Sequence, residues 1–596
     1  MLSHSHILNP IDAGLLIIVG SGAISALLIA RICPSVSPLS VPYPETAARE
    51  LQTCMTRDPE PSAKEFGSFH FQATQLDAIG LALLNSPEGL AADIKGHLST
   101  GTSEENLDPV NHDWGHQIND VLPNVMIFSV SRSASTGTRF CKENVLAGSG
   151  VILAALFARV DFVSGPLSLP DTVYWGPIRV PRGSTPPKDD ETIHEFTVEY
   201  GADLIAGLRE QIKNTRWVEP VENSAYHYGV NLGSFRDVME YWRTEFDFNK
   251  SLAEINAYPH YRTEIEGLKI HFFRSTVEPR SADVEVVPLM LIHGWPGSFA
   301  EFLKVVPLLK EVKDGIAFDI VVPSLPGYGF SEAPTKSGVD VAVAARILKK
   351  LMARLGYSRY FVQGGDWGSF VTAAMGTLYP EDVRGIHLNL LLSVPSSLMS
   401  ITKFLLLKAF PGHFSDGPMP PCMSVDVKSQ LHESGYFYIQ ATKPDTLGLA
   451  HLNSPVGLAA HMMEKFSAGI DERNRDLIDG GLGRKIPVDH MLANVMVYHA
   501  SRSAVSSLRF YKENFLSRNM LSLFKVPIKV PTGYTIFPDE ISCFPRFIAT
   551  DLLPNLTTLT YQSSGGHFVA MEEPKALAED VRKYVRKVID LYPERR

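Results

Sequence analysis

The sequence predicts an α/β fold built on a parallel, doubly wound sheet. From about residue 191 onward, short apolar runs that end at glycine alternate with stretches of helical periodicity. Apolar runs of this kind are typical of parallel strands, because helices cover both faces of such a sheet. One run passes through a glycine-flanked turn, QGGDWGS at 363–369, directly into a helical stretch. This alternation predicts a functional site at the carboxyl ends of the strands.

The predicted elements follow the same alternation along the chain. Helical periodicity covers residues 199–216 and 233–246, and a mostly helical insertion of more than about a hundred residues interrupts the sheet after residue 392. A last helix, from residue 575 to about 591, closes the domain. Strands are predicted at residues 267–274, 286–294, 318–329, 360–365, 383–391, 524–533 and 556–566, with further helices at 338–355 and 369–379.

Composition excludes several function classes. The chain has 596 residues, of which 45% are hydrophobic and 20% charged, so it can bury a large core. Its net charge of −10 argues against a nucleic-acid partner, because phosphate binding needs a basic surface. The five cysteines have no metal-binding spacing, so we expect reduced thiols in a cytosol-facing protein rather than a disulfide framework or a zinc site. They are Cys33, Cys54, Cys141, Cys422 and Cys543.

The N-terminal segment, residues 1–33, predicts a membrane anchor. Residues 13–30 carry no charge and are rich in Leu, Ile and Val, and about 18 apolar residues can just cross a bilayer as a helix. Asp12 precedes this run and Arg31 follows it, which favours a cytoplasmic location for the rest of the chain. A cleaved signal peptide is one alternative, but the positively charged region that precedes the apolar run of such a peptide is missing here. A buried helix is the other alternative.

The chain contains an internal repeat. Residues 67–145 resemble residues 435–515 block by block. The segments FQAT, NSPEGLAA and RFCKEN in the first copy correspond to IQAT, NSPVGLAA and RFYKEN in the second. The second copy lies between candidate catalytic motifs, whereas the first has none around it. We therefore interpret residues 34–150 as a degenerate partial duplicate, from a gene fusion or a mistaken gene model, and 151–190 as a second apolar run and linker.

The turn at residues 363–369 predicts a nucleophile. Gly364 and Gly368 flank Asp366 in the small-x-nucleophile-x-small pattern of a sharp strand-to-helix elbow. A carboxylate at this position can attack a saturated carbon and form an alkyl ester, which water must then hydrolyse. Such an acceptor carbon occurs in an epoxide or an alkyl halide. The simpler alternative is a turn aspartate that caps the following helix.

A second motif, HGWPGS at 293–298, directly follows an apolar strand. In a fold with such an elbow, the loop after this strand supplies one backbone N–H of an oxyanion hole, and the residue after the nucleophile supplies the other. The predicted donors are therefore the main chains of Trp295 and Trp367. Taken alone, the motif is also compatible with an ordinary Gly-Pro turn, which is the alternative interpretation.

A third motif, SGGHF at 564–568, offers His567 as the base that activates water. A base needs an orienting acid, and FPDEI at 537–541 provides Glu540, with Asp539 as a close rival. The order of nucleophile, acid and histidine is the one expected of the α/β-hydrolase fold. Any one of the 19 histidines is more often structural than catalytic. The three motifs in order, each at the end of a strand, favour the catalytic interpretation.

With these motifs, residues from about 169 to 592 resemble the microsomal epoxide hydrolase family, which includes the insect juvenile hormone epoxide hydrolases. The resemblance is carried by YWGP, HYGVN, HGWPGS, PSLPGYGFSEA, GGDWGS, SGYFYIQATKPDT, RFYKEN and GGHF. It implies an α/β-hydrolase fold with a helical lid insertion, in which Tyr436 and Tyr511 protonate the epoxide oxygen. It also implies three parts. The N-terminal region covers residues 191–280, the α/β-hydrolase core covers residues 281–392 and 516–596, and the lid covers residues 393–515.

The resemblance implies that the protein converts an apolar epoxide and water to a vicinal diol, without metal or organic cofactor, at the endoplasmic reticulum membrane. Xenobiotic, lipid and juvenile hormone epoxides all fit this expectation, and the oligomeric state stays open. A haloalkane dehalogenase shares the aspartate nucleophile, but a halide leaving group needs no proton donor. A protein that keeps the fold only to bind a lipid or hormone is the alternative from another class.

The first repeat copy lacks the two predicted proton donors. Ser68 stands where the second copy has Tyr436, and Cys141 stands where it has Tyr511. The first copy also contains HDWGH, which superficially resembles the elbow around a nucleophile. When the two copies are aligned, Asp113 corresponds to the segment GGLGRK of the second copy and not to GGDWGS. We therefore do not interpret Asp113 as a nucleophile. We expect this copy to be catalytically inactive.

Overall fold

A computed structural model describes residues 166–170, 174–177, 187–278, 284–392, 403, 407, 420–423 and 433–593. The predicted anchor and the predicted duplicate, with Ser68, Asp113 and Cys141, lie outside the described residues, as does most of the linker. Among the helices that the structure does describe, none combines the length and apolar character that a bilayer crossing requires. The domain boundaries and the anchor therefore stay predictions.

A nine-stranded sheet forms the centre of the fold, in the order β1-β2-β3-β5-β4-β6-β7-β8-β9. From β5 through β4 to β9 all neighbouring strands are parallel, which confirms the predicted sheet for this part. The strands are β1 His194–Phe196, β2 His260–Ile265, β3 Leu268–Ser275, β4 Glu285–Ile292, β5 Ile316–Pro323, β6 Tyr360–Gly364, β7 Val383–Leu388, β8 Thr532–Ile536 and β9 Leu556–Tyr561.

The prediction of a parallel sheet is wrong at the N-terminal edge, where β1, β2 and β3 pair antiparallel and β3 is antiparallel to β5. For β2 and β3 the cause is a two-residue hairpin between them. Its central residues, Glu266 and Gly267, have φ of 52° and 79°. Such a turn matches the twist of antiparallel strands, whereas parallel strands need a long crossover connection.

Helices cover the sheet and form the insertion after β7. The segment from α7 to α12 belongs to this insertion, and almost every residue of α9 is buried. The described helices are α1 Ala202–Lys213, α2 Leu232–Thr244, α3 Phe248–Ile255, α4 Val305–Lys310, α5 Val341–Arg354, α6 Trp367–Leu378, α7 Gly435–Thr442, α8 Pro444–Asn453, α9 Pro455–Ile470, α10 Val488–Ser501, α11 Ala504–Asn514, α12 Arg518–Leu523, α13 Arg546–Leu552, α14 Val569–Glu572 and α15 Pro574–Leu591.

Strand β8 begins later than the sequence pattern suggests. The pattern predicts a strand over the apolar segment 524–533, but the strand runs over Thr532–Ile536. Pro527 and Pro531 interrupt the expected segment, and proline has no N–H to donate to a neighbouring strand. The shift brings the FPDEI segment directly to the carboxyl end of β8, where the site lies.

The expectation of reduced thiols is wrong for one pair of cysteines. Cys422 and Cys543 form a disulfide bond, with their Cα atoms 5.5 Å apart. Both residues are buried, and the backbone N–H of Cys422 donates to the carbonyl of Pro538. The two cysteines are separated by 121 residues. Spacing alone could not predict a contact that the tertiary fold creates.

Candidate active site

Asp366 occupies the sharp turn between β6 and α6, with φ of 49° and ψ of −129°. This backbone conformation is unfavourable for a residue with a side chain, and such strain is concentrated at functional sites. The flanking glycines are sterically required. A Cβ on Gly364 would lie 2.2 Å from the carbonyl oxygen of Gly368, and a Cβ on Gly368 would lie 2.0 Å from that of Ile292. Close packing at the edge of the sheet therefore requires glycine on both sides of Asp366.

The loop after β4 closes on the Asp366 carboxylate. The backbone N–H of Trp295 donates to Oδ1 of Asp366 over 2.7 Å. A Cβ on Gly294 would lie 2.0 Å from the same oxygen, so only glycine allows this approach. Trp367 is the first residue of α6, where a backbone N–H has no partner within the helix. The predicted donor at Trp295 thus contacts the carboxylate of Asp366, and the predicted donor at Trp367 is the next backbone N–H after Asp366 in the chain.

His567 bridges Asp366 and a second acid, Glu540. Its Nε2 lies 3.1 Å from Oδ2 of Asp366, and its Nδ1 lies 2.5 Å from Oε1 of Glu540. Glu540 is only 2% exposed and also accepts from the side chain of Asn389 and from the N–H of Ile541. Burial alone would lower the pKa of His567. The charge of Glu540 and the hydrogen bonds to Asp366 and Glu540 outweigh burial and raise this pKa well above its usual value.

The rival acid faces elsewhere. Carboxylate oxygens of Asp539 lie 3.6 Å from Nζ of Lys485 and 3.6 Å from a guanidinium nitrogen of Arg473. The backbone N–H of Asp539 donates to the carbonyl of Gly565. Adjacent residues at the end of a strand point in different directions. Of Asp539 and Glu540, Glu540 is therefore the one that contacts the imidazole of His567.

Two tyrosines from the insertion stand over this group. The ring of Tyr436 on α7 stacks on that of Trp295, with centroids 5.6 Å apart, and the ring of Tyr511 on α11 meets Trp367 edge-on at 4.8 Å. The centroids of the two tyrosine rings are 6.2 Å apart. Burial and the charge of Asp366 raise the pKa of both phenols, which are therefore neutral donors at physiological pH. All seven predicted site residues are brought together.

Sequence reasoning missed Glu301, a second carboxyl group in the same place. Glu301 belongs to a short 3-10 helix, Phe299–Lys304, after the HGWPGS loop. Its removal from bulk water and the nearby charge of Asp366 raise its pKa to about 8. A Cβ on Gly297 would lie 1.3 Å from Oε1 of Glu301. The second glycine after the strand, Gly297, followed four residues later by a carboxylate, was the available signal.

A small cavity connects these groups. It measures about 20 Å³, enough for one water molecule, and polar side chains supply part of its wall. Oε1 of Gln363, on that wall, is buried without a hydrogen-bond partner among the described residues. The polar side chains on the wall are Glu301, Gln363, Asp366, Asn389 and His567.

Glu572, which the sequence also did not reveal, holds the loop of the histidine. Its carboxylate accepts from the backbone N–H groups of Gly566 and Phe568, over 3.0 and 2.9 Å. The N–H of His567 itself donates to the carbonyl of Gly469, at the end of α9. These three bonds orient the backbone of His567 from both the core and the insertion.

Comparison with known proteins gives the family. The family model described as epoxide hydrolase N terminus matches residues 193–302, and the one described as alpha/beta hydrolase fold matches residues 287–415. The chain is 41% identical to epoxide hydrolase 1 of Sus scrofa over 422 residues, which cover 69% of this chain and 92% of that protein. The chain belongs to the microsomal epoxide hydrolase family. The resemblance and the α/β-hydrolase fold expected from the motifs are thereby confirmed.

Other members of the epoxide hydrolase family align over a similar extent. Juvenile hormone epoxide hydrolase 1 of Ctenocephalides felis is 36% identical, over 74% of this chain and 95% of that protein. The crystal structure of juvenile hormone epoxide hydrolase from Bombyx mori superposes with a TM-score of 0.67 at 36% identity, covering 71% of this chain and all of that one. The Aspergillus niger epoxide hydrolase gives 0.53 at 27% identity, covering 67% and 97%.

Proposed function

We propose that this protein hydrolyses epoxides to vicinal diols in two steps, through an ester on Asp366. The observation that carries the proposal is a carboxylate at the elbow that contacts both the backbone N–H of Trp295 and the imidazole of His567. A serine at that position would suggest acyl transfer, whereas a carboxylate forms an ester that His567 and water can cleave. Family membership supports the same chemistry.

In the first step, Oδ2 of Asp366 attacks an epoxide carbon and the carbon–oxygen bond of the ring breaks. Oδ1, which Trp295 holds, becomes the carbonyl oxygen of the ester. The ring oxygen leaves as an alkoxide and takes a proton from Tyr436 or Tyr511. A neutral phenol close to that oxygen stabilises the developing charge, which is why a paired donor favours an epoxide over an alkyl halide.

In the second step, His567 removes a proton from water, which attacks the ester carbonyl. Ester formation neutralises Asp366, one of the two partners that raise the pKa of His567. The pKa of His567 therefore falls when the ester forms, and the imidazole becomes available as a base. Glu540 stabilises the imidazolium, and the N–H groups of Trp295 and Trp367 stabilise the oxyanion. The ester bond then breaks, and the departing oxygen of the diol takes the proton that His567 removed from water. The proton on the regenerated carboxyl group of Asp366 restores the tyrosinate to a phenol, and the diol leaves.

The cavity wall supports a place for the water that is consumed. Below a pH of about 8 the carboxyl of Glu301 is neutral, so it adds no second negative charge beside Asp366. A protonated carboxyl can both donate to and accept from a water molecule, and Oε1 of Gln363 can accept from one. We therefore assign Glu301 to positioning the hydrolytic water next to His567.

The substrate class follows from the relatives and from the lid. We propose an apolar epoxide, either a xenobiotic, a lipid or a juvenile-hormone-like compound, consistent with the insect hydrolases of that name. We further propose that residues 13–30 anchor the protein in the endoplasmic reticulum membrane, with the catalytic domain facing the cytoplasm. A truncated variant lacking residues 1–33 that still sediments with microsomal membranes would contradict the anchor.

The test of the mechanism is a single-turnover reaction with styrene oxide in ¹⁸O-labelled water. We expect the first diol to carry unlabelled oxygen from Asp366, because water attacks the ester carbonyl rather than the epoxide. The variant Asp366→Ala should form no diol. A first-turnover diol that is fully labelled would show direct attack by water and refute the ester. A haloalkane dehalogenase would instead release halide from an alkyl halide, and a binding protein would give no diol.

A further inference from the structure

Beneath the tyrosine donor Tyr436 lies a buried lysine that the proposed mechanism does not use. Lys465, on α9, is only 7% exposed, and its ammonium nitrogen lies 4.7 Å from the centroid of the Tyr436 ring. A buried cation is costly unless it is paired, and an apolar side chain would be the ordinary residue inside such a helix. The buried ammonium of Lys465 therefore points to a specific role at this position.

The ammonium is held by two carboxylates. Nζ of Lys465 lies 3.1 Å from Oε2 of Glu464 and 3.3 Å from Oε2 of Glu433, and it also donates to the backbone carbonyl of Glu433 over 3.4 Å. Glu433 is three residues before Tyr436. Burial by itself would lower the pKa of Lys465, but the charges of Glu464 and Glu433 raise it, so the ammonium stays charged. Lys465 thus fastens α9 to the segment that carries the phenol.

The groups around Tyr436 otherwise oppose proton donation. Burial, the charge of Asp366 and the charges of Glu464 and Glu433 all raise the pKa of its phenol, while a hydrogen bond with Tyr511 lowers it. When the phenol gives its proton to the epoxide oxygen, negative charge develops on the tyrosine. A cation close to the ring lowers the energy of that charge, and more so where water is excluded.

We propose that Lys465 is a positioning residue for Tyr436: its ammonium holds the phenol ring in place and stabilises the charge that develops as Tyr436 protonates the epoxide oxygen. The proposal rests on the proposed role of Tyr436 as a donor. It predicts that Lys465 matters for formation of the ester and not for its hydrolysis, because the phenol acts only in the first step. A purely structural ion pair would affect both steps alike.

The experiment is a double-mutant cycle with Lys465→Met and Tyr436→Phe in the full-length protein. Stopped-flow tryptophan fluorescence with styrene oxide gives the rate constants of ester formation and ester hydrolysis separately. We expect Lys465→Met to slow ester formation about 10- to 30-fold, the range of a desolvated cation–π contact. The rate constant of ester hydrolysis should stay within about threefold of wild type, because the phenol does not act in that step. A threefold change corresponds to ~0.7 kcal/mol in the barrier, which is small for a substitution at a buried site. Lys465→Arg, which keeps the charge, should recover most of the rate.

Two further comparisons decide the outcome. In the Tyr436→Phe background, Lys465→Met should have little additional effect; an equal loss in both backgrounds, or an equal loss in both steps, would overturn the proposal. If Lys465→Met does not fold, the variant Glu464→Gln with Lys465→Met removes the ammonium without leaving its nearest carboxylate unpaired. The failures are distinguishable. Diol formation by Asp366→Ala would refute the proposed function itself. A slow Tyr436→Phe with a normal Lys465→Met would refute only the role of Lys465.

Discussion

Replacing Glu540 by Gln tests how the acid supports the histidine. Oε1 of Glu540 lies 2.5 Å from Nδ1 of His567 and is completely buried, so its charge acts at full strength on the imidazole. A glutamine keeps the size of the side chain and removes the charge. The imidazolium that forms during ester hydrolysis loses a charge-assisted hydrogen bond worth about 1.5–3 kcal/mol, which corresponds to a roughly 10- to 150-fold slower hydrolysis.

Ester formation does not require a base, so its rate constant should change little in Glu540→Gln and the ester should accumulate. Stopped-flow fluorescence measures both rate constants, and mass spectrometry of the quenched enzyme detects the adduct on the peptide that contains Asp366. The direction of the pH dependence follows from the charge. Without the carboxylate, His567 loses its proton at lower pH, so the acidic limb of the hydrolysis rate shifts to lower pH.

The neighbouring carboxylate provides the matched control. Asp539 is adjacent in sequence but pairs with Lys485 and Arg473, so Asp539→Asn should hydrolyse the ester at nearly the wild-type rate. A larger loss in Asp539→Asn than in Glu540→Gln would refute the assignment of the acid. Slower ester formation with unchanged hydrolysis in Glu540→Gln would refute the reasoning about the base.

Three other changes test separate parts of the structure. Gly368→Ala places a Cβ 2.0 Å from the carbonyl oxygen of Ile292, so we expect a lower thermal midpoint of unfolding and no diol formation. The control is Gly207→Ala on α1, where the Cβ meets nothing within 4 Å; it should leave activity intact and slightly raise the midpoint. Glu301→Leu should slow ester hydrolysis, while Glu301→Gln, an uncharged amide, should retain most of it. Because Glu301 ionises as pH rises through about 8, the wild-type hydrolysis rate should fall there and that of Glu301→Gln should not; identical pH profiles would contradict the assignment. Replacing both Cys422 and Cys543 by Ser should lower the free energy of unfolding in urea by about 2–5 kcal/mol, because the bond closes a long loop. The chain has five cysteines, so an unchanged urea midpoint, together with thiol titration that finds both Cys422 and Cys543 free in the wild-type protein, would show that the bond does not form.

The candidate catalytic residues were predictable where local backbone geometry carries the signal. Gly364, Asp366 and Gly368 form the elbow within five consecutive residues, and the glycines are needed because neighbouring carbonyls leave no room for a Cβ. Apolar runs ending at glycine likewise marked the parallel strands. The hairpin at Glu266 and Gly267 was overlooked although its signal was local, and this produced the wrong expectation for the N-terminal edge of the sheet.

What the sequence by itself determined is the fold class, the candidate nucleophile and the order of the candidate acid and histidine, since these depend on periodicity and on short turns. Only the tertiary structure decided which of Asp539 and Glu540 reaches His567, because adjacent side chains at a strand end differ in direction rather than in chemistry. It also decided the bond between Cys422 and Cys543 and the position of Glu301 beside Asp366. These contacts join segments far apart in the chain, and their energies come from burial and from charges that act only once the chain has folded.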